Sequence, residues 1–389
     1  NRKQLMLSLS QKKLLDFYLG MLGLIILRPI VQIVGKILKR EHDPQPRGDI
    51  VVQKFLGGGS LLLAQNALIG IKQTYPDRSL ILITTNNVKP FGELLGVFDQ
   101  IIVIDDSSFL KLIPSSLRAL FRVYRSDTVL DLEVFSRLST IFSLLTCARN
   151  RISFICDEVF LRKNVSTHLV YFNRSSGQYI FYDQMAFLLG AIAASNQDCR
   201  KNILDNCHRS DSAFNSLIIG HGCSDYLKER CLMPSEWLEI FKRQIINKSF
   251  KKIIFLGSQT DYRLAEAIIA LLKEEFSDQI FENLCGQLTL QESVGVLSSA
   301  REFWGIDSAL LHFARLLNVP STSFWGPTDP CTRLRPNLEL IETVNYQRIH
   351  CSPCVHTTEQ PPCMGNNLCI RELFKTNSQA ELFKNTIVV

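Results

Sequence analysis

IVVQKFLGGGSLLLAQNALIGI, residues 50–71, is the stretch on which the fold turns. It opens on the β-branched run Ile50, Val51 and Val52, passes three consecutive glycines, and continues as the apolar, helix-like run LLLAQNALIGI from Leu61. A short apolar run bounded by glycine reads as a buried strand, and the longer run after it reads as a helix, so the stretch is one strand–turn–helix unit. Gly57, Gly58 and Gly59 allow the backbone to come close to a ligand, and the helix start behind them presents free N–H groups suited to an anion. The pattern is neither a P-loop nor G-x-G-x-x-G, and a plain tight turn explains the glycines equally well.

Outward from that unit the same alternation repeats. Apolar runs recur at Leu80 to Thr84, Gln100 to Ile104 and Thr128 to Leu132, with helix-like stretches between them. A second series starts at Ser216 (SLIIGHG) and continues through Lys252 (KIIFLGS), Ile280 to Leu284, Glu302 (EFWGID) and Ser321 (STSFWGPTDP). Strands alternating with helices imply an α/β chain with two doubly wound halves. Asn196 to Ser212 is polar and lacks strand character, which divides the body into residues 48–205 and 206–389.

With 389 residues, 46% hydrophobic and 21% charged, the chain can bury a large core and is no disordered or disulfide-stapled protein. Its net charge of +6 is local, because residues 1–48 hold nine Lys/Arg and three Asp/Glu and the remainder balances at 34 against 34. A nucleic-acid binder is expected to carry a basic stripe on its folded body, so no nucleic-acid partner is expected. The excess flanks the uncharged run FYLGMLGLIIL, Phe17 to Leu27, which stops at Arg28-Pro29. A spanning helix needs about 20 apolar residues. Residues 1–47 therefore read as an amphipathic helical extension and linker, with a membrane surface met through residues 14–40. A signal peptide and a helix packed on the protein's own body are the competing readings.

Residues at strand ends carry the candidate chemistry. Asp307 and Ser308 follow the EFWGI run, and His312 falls on the second turn of the next helix. Both Asp307 and Ser308 are also good helix caps. Asp131 and Glu133 lie two apart at the end of another strand, which directs them to one side near the glycine turn. They read equally as candidate bases and as caps paired with Arg137 or Arg149.

Taken together these segments resemble glycosyltransferase family nine, the ADP-heptose:lipopolysaccharide heptosyltransferases. Gly59 to Leu68 (GSLLLAQNAL) is similar to that family's G-D-x-L-L-A-T-P-A-L, and Asp307 to Pro330 is similar to its D-[ST]-G-x-x-H-L-A-x-x-L-x-V-P and F-G-P-T-D-P block. TVLDLE at Thr128, RNRISF at Arg149, and Pro234 to Trp237 add weaker likeness. The resemblance implies a GT-B fold of two Rossmann-like domains facing a cleft, an acceptor domain first and a donor domain second. It implies direct, inverting transfer from a nucleotide-diphosphate sugar, by analogy an ADP-sugar, to a lipid-linked glycan acceptor, on the cytoplasmic face of a bacterial inner membrane. By family position Asp307 contacts donor-sugar hydroxyls, and Ser308, the Ala309 amide and His312 lie near the diphosphate. Lys228 or Arg230 faces the phosphates, Asp261 the ribose, Leu288 and Thr289 the base, and Gly58 and Gly59 the donor side of the first loop.

Two departures matter. Ser60 stands where the family carries the aspartate that deprotonates the acceptor, and serine is no base at neutral pH. Ala309 replaces a glycine. No D-x-D triplet occurs, so no metal cofactor is expected for catalysis. Of twelve cysteines, Cys351, Cys354, Cys363 and Cys369 cluster in the loop 351–369, where the first pair has zinc spacing, with His350 and His356 as spare ligands. This makes a structural zinc the one metal candidate. The rival reading is a non-catalytic nucleotide-sugar-binding or scaffold protein.

Overall fold

The computed structural model describes residues 9–208, 210–223, 229–245, 248–355, 361–364 and 366–375. The chain forms two compact units, Asn1–Asn202 and Ile203–Val389. The first contains α1 (Leu9–Leu38), β1 (Ile50–Lys54), α2 (Gly58–Leu63), α3 (Gln65–Thr74), β2 (Leu80–Thr85), α4 (Lys89–Leu95), β3 (Gln100–Ile104) and α5 (Phe109–Arg122). It continues with β4 (Thr128–Asp131), α6 (Arg137–Leu145), β5 (Asn150–Ile155), β6 (His168–Tyr171) and α7 (Gln178–Leu188), and α8 (Asn196–Asn206) runs across the division. The second contains β7 (Leu217–Gly220), α9 (Pro234–Gln244), β8 (Ile253–Phe255), α10 (Tyr262–Glu275), β9 (Phe281–Asn283) and α11 (Leu290–Ser298). It ends with β10 (Glu302–Ile306), α12 (Ala309–Leu316), β11 (Ser321–Trp325), β12 (Glu342–Tyr346) and α13 (Leu368–Lys375).

Both sheets are parallel and share one topology. Their orders, β3-β2-β1-β4-β5-β6 and β12-β11-β10-β7-β8-β9, each turn back beside the first strand, so that β4 and β10 start the return. In open sheets of this kind ligands bind at such a switch, outside the carboxyl ends of the strands. The central strands β1, β7 and β8 are buried throughout, as two-sided parallel strands must be. In the first unit Val51, Ile81, Ile83, Ile102, Ile104 and Val129 form one core with Ala119, Leu112 and Val123 around α5 and Phe142 of α6. In the second, Trp237, Phe241, Phe255, Trp304 and Phe324 fill the corresponding place.

Helix α1 differs from its sequence reading. It runs unbroken through Arg28-Pro29, and Lys13–Leu38 is, among the described residues, long and apolar enough by length and composition to cross a membrane. The apolar run stops at Pro29, but the backbone does not, because proline removes a single helix hydrogen bond without forbidding the turns that follow. One face of α1 is docked. Asp16 accepts hydrogen bonds from Ser136 Oγ (2.6 Å) and from the amides of Arg137 and Leu138, so a carboxylate from one helix covers the free N–H groups starting the next. Gly20 brings the backbone so close to Arg137 that no side chain fits, and Gly23 lies against the Ile141 side chain. Leu24 is buried against Leu161 and Val165.

Candidate functional site

The carboxyl ends of β7, β8 and β10 bring together most of the residues the sequence assigned to a donor. Asp307 follows β10 directly and is buried, with Arg230 Nη1 3.3 Å from its Oδ2 and His312 Nε2 3.7 Å from its Oδ1. Arg230 also donates from Nη1 to the Asp307 carbonyl at 2.8 Å. Burial by itself would raise the Asp307 carboxyl, yet the charges of Arg230 and Arg333 and the Thr328 hydroxyl outweigh it and hold the group below its ordinary value. The site thus keeps an anionic carboxylate. Burial pushes His312 down to about 4, against the pull of Asp307 and with further push from Arg315, Arg333 and Arg230. It is neutral at pH 7 and able to donate or accept.

Helix α12 starts at Ala309, and Ser308 holds its N-cap position in extended conformation without making a cap hydrogen bond. The cap that the sequence allowed is therefore not formed. Ser308 Oγ, Asp307 Oδ2 and Arg230 Nε are all buried with no hydrogen-bonded partner. Buried polar groups in native proteins are rarely left so, and here three lie together at one strand end. A hydroxyl, a guanidinium N–H and the open N–H groups of a helix start fit an anion, while the carboxylate fits sugar hydroxyls.

Other assignments fall differently. Asp261 is near the group but turned inward: its Oδ2 accepts from Ser258 N (2.8 Å) and Oγ (2.7 Å), and it packs so tightly on Gly222 and Gly257 that neither could carry a side chain. Its carbonyl oxygen meets His221 Nε2 at 3.1 Å. Thr289 is engaged as a cap: its Oγ1 accepts from Glu292 N at 3.2 Å, and Glu292 returns the bond to the Thr289 amide. Leu288 beside it is half-buried. Lys228 and His356 lie outside the described residues. Thr328 and Arg333 join the Asp307 environment without having been singled out; Thr328 sits in the quoted FWGPTDP turn, so its signal was present.

In the first unit, Gly57 takes a left-handed conformation (φ 76°) at the start of α2, and Gly58, Gly59 and Ser60 form its first turn. Glu133 holds this loop from below, its Oε1 accepting from the amides of Phe55 (2.7 Å) and Leu56 (2.9 Å) and lying 3.2 Å from Lys54 Nζ. Asp131 is sealed. Its Oδ2 accepts from Ser139 Oγ (2.8 Å) and lies 3.4 Å from Arg162 Nη2, its Oδ1 accepts from the Glu133 amide, and neither side chain of the ion pair is exposed. The expected partners were Arg137 and Arg149, but these pair with Asp16 and Asp127 instead. Arg162 comes from a short helical turn, Asp157–Arg162, whose residues carry no local pattern that would single it out.

Of Cys351, Cys354, Cys363 and Cys369, Cys354 and Cys369 are buried and the other two are partly exposed. Among the described residues no group of three or more His, Cys, Asp or Glu side chains could hold a metal, and His356, a spare ligand of the expected zinc, lies outside them. Burial raises the Cys369 thiol to about 11, and the same cause raises Cys354. The backbone explains part of this: the loop is taken up by packing, with Cys354 N donating to Pro327 O and the Cys369 sulfur against Gly326.

Two parallel six-stranded sheets of identical order, each flanked by helices, make this a GT-B protein. Known proteins agree. Residues 194–364 match the model of "Glycosyltransferase family 9 (heptosyltransferase)". Lipopolysaccharide heptosyltransferase 2 of Salmonella typhimurium is 30% identical over 88 residues, 23% of this chain and 25% of that protein. Lipooligosaccharide heptosyltransferase 2 of Haemophilus ducreyi is 36% identical over 88 residues, 22% of this chain and 25% of that protein. The match thus spans about a quarter of the length of these relatives. The fold extends further. E. coli ADP-heptose lps heptosyltransferase II superposes with a TM-score of 0.59 at 17% identity, covering 77% of this chain and 91% of that one. E. coli heptosyltransferase WaaC with ADP-2-deoxy-2-fluoro heptose gives 0.61 at 14%, covering 84% and 98%.

Proposed function

We propose that the chain is a glycosyltransferase that moves heptose or a related sugar from a nucleotide-diphosphate donor of the ADP-sugar class to a lipid-linked saccharide in bacterial envelope synthesis. The observation that carries this is the group of unpartnered buried atoms on Asp307, Ser308 and Arg230 at the end of β10. Family 9 likeness over residues 194–364, and relatives whose names specify heptosyltransferases, support the choice of chemistry.

In this reading Asp307 accepts hydrogen bonds from sugar hydroxyls and holds the ring. Ser308, the first amides of α12 and Arg230 receive the diphosphate, whose charge grows as the anomeric bond breaks; fixed donors aimed at developing charge stabilise a leaving group without metal help. Neutral His312 keeps Asp307 oriented without cancelling its charge. Attack by the acceptor hydroxyl from the opposite face forms the new glycosidic bond as the bond to the diphosphate breaks, releases the hydroxyl proton to solvent, and gives inversion. Asp131 is too deeply sealed to meet that hydroxyl, while Glu133 shapes the loop that bears Ser60. The work is placed at the inner face of the cytoplasmic membrane, with α1 along the surface. Docking of residues 16–24 on α6 leaves 25–38 free, roughly 21 Å of helix and short of the ~30 Å hydrocarbon core.

The test is a thermal-shift titration of the full chain with nucleotides and nucleotide-sugars, followed by transfer to a lipid-linked acceptor. ADP and ADP-heptose stabilise the protein by about 2.7 kcal/mol at a hundredfold excess over Kd, and UDP and GDP forms do not. No shift with any nucleotide overturns the reading; a shift without turnover assigns the chain to the scaffold class.

A further inference from the structure

Helix α5 carries two apolar faces, and the fold uses one. At about 100° per residue, Leu112, Ala119 and Val123 lie together on the side that packs into the sheet core. Leu110, Ile113, Leu117 and Phe121 recur on the opposite side within an arc of about 80°, and they are 86, 48, 49 and 79% exposed. Lys111, Arg118 and Arg122 all fall on one flank between the two faces. No acidic residue occurs from Phe109 to Arg125, and Lys111 pairs with Asp105 before the helix at 3.5 Å. Single exposed apolar residues are ordinary, but a row at helical spacing beside a basic row is the pattern of a helix seated among lipid headgroups.

The surroundings say what covers this face. Helix α6 packs on the same side of the sheet as α5, through Phe142 in the core they share. Helix α1 lies on α6 and turns Leu22, Ile25, Ile26, Ile30 and Ile33 to solvent. Two separate elements of one unit thus present apolar side chains to solvent. One is flanked by cations with no acid on the helix, which complements an anionic surface better than a protein of mixed charge.

We propose that α5 is a second membrane contact of this chain, lying in the headgroup layer of an anionic bilayer with Leu110, Leu117 and Phe121 among the acyl chains and Arg118 and Arg122 at the lipid phosphates. The contact rests on α5 itself and does not depend on the sugar chemistry. It fixes one side of the first unit against the membrane.

The probe is a tryptophan at the face. The chain's three tryptophans, Trp237, Trp304 and Trp325, are buried in the second unit, so Phe121→Trp adds a reporter that is distinct from them. The full-length Phe121→Trp chain is titrated with phosphatidylglycerol–phosphatidylcholine vesicles whose acyl chains carry bromine. Its emission shifts to the blue and is quenched at least twofold, while Phe187→Trp on α7, at an equally exposed position, shows neither. Arg118→Gln and Arg122→Gln each weaken vesicle binding by about fivefold. Vesicle-bound Phe121→Trp protein with unchanged emission from the introduced tryptophan overturns the proposal, as does absence of vesicle binding. A blue shift that follows protein concentration without lipid gives the face to a second copy of the chain and overturns it too.

Discussion

β4 and β10 hold the same place in their sheets, first on the returning side of the switch, and each ends at a buried aspartate faced by an arginine. The two pairs are otherwise unlike. At β4, Arg162 donates to Thr140 Oγ1 and to the carbonyls of Phe154, Glu133 and Ser136, while Asp131 accepts from Ser139 and the Glu133 amide. At β10, Asp307 Oδ2, Arg230 Nε and the neighbouring Ser308 Oγ go without hydrogen-bonded partners. One pair is saturated and closed, the other has capacity left over. A polar cluster that satisfies itself holds the chain; one that does not has donors and acceptors to offer.

Substituting one residue in each cluster separates these roles most sharply. Arg162→Leu leaves Asp131 buried and unpaired, with an expected loss of about 3–5 kcal/mol in urea unfolding followed by circular dichroism. Asp307→Ala keeps the backbone carbonyl that Arg230 Nη1 binds, so it costs less stability and takes away about 10²–10³-fold in transfer rate. Transfer near wild type by Asp307→Ala, with a large loss of stability, would make the second cluster structural like the first.

The same contrast predicts opposite pH dependence. Burial raises Asp131 to about 6, more than the charge of Arg162 and the Ser139 hydroxyl lower it. A folded value above the unfolded one gives stability that is present below pH 3.8 and lost as pH rises through about 6. His312 is depressed from 6.5 to about 4, so its contribution is present above pH 6.5 and lost as pH falls through about 4. Each amounts to about 3 kcal/mol. Tryptophan emission follows the second unit, which holds all three tryptophans, and hydrogen exchange in β4 follows the first. Asp131→Asn and His312→Asn flatten the two slopes; slopes of equal sign in the parent chain would end the comparison.

How much of this the sequence revealed follows from the range of the forces involved. β1, β2, β4 and β7 were legible because a strand covered on both faces must be apolar throughout. β6 and β12 were not, since HLVY and ETVNY are short, half-exposed edges with no pattern of their own. Asp307 could be found because a strand end followed by a helix start is a local signal. The closure of Asp131 could not, because it depends on an arginine 31 positions away that only tertiary packing brings back. Likewise, α5's two apolar faces are written in its spacing, but the sheet decides which of them is covered.

The finest test lies in two helix starts. Thr289 caps α11 with a formed hydrogen bond to the Glu292 amide, whereas Ser308 stands at the start of α12 with its hydroxyl unpartnered. Thr289→Ala therefore costs about 1 kcal/mol in urea unfolding read by tryptophan emission and leaves ADP affinity unchanged. Ser308→Ala has no cap bond to lose, so stability holds within a few tenths of a kcal/mol while ADP binding weakens about fivefold, measured by calorimetry. The two outcomes cross because a hydroxyl committed to its own helix shows in folding, and one left free shows in binding. If Ser308→Ala instead lowers stability by the amount expected of Thr289→Ala and spares ADP, its hydroxyl serves the helix after all and the diphosphate is held elsewhere.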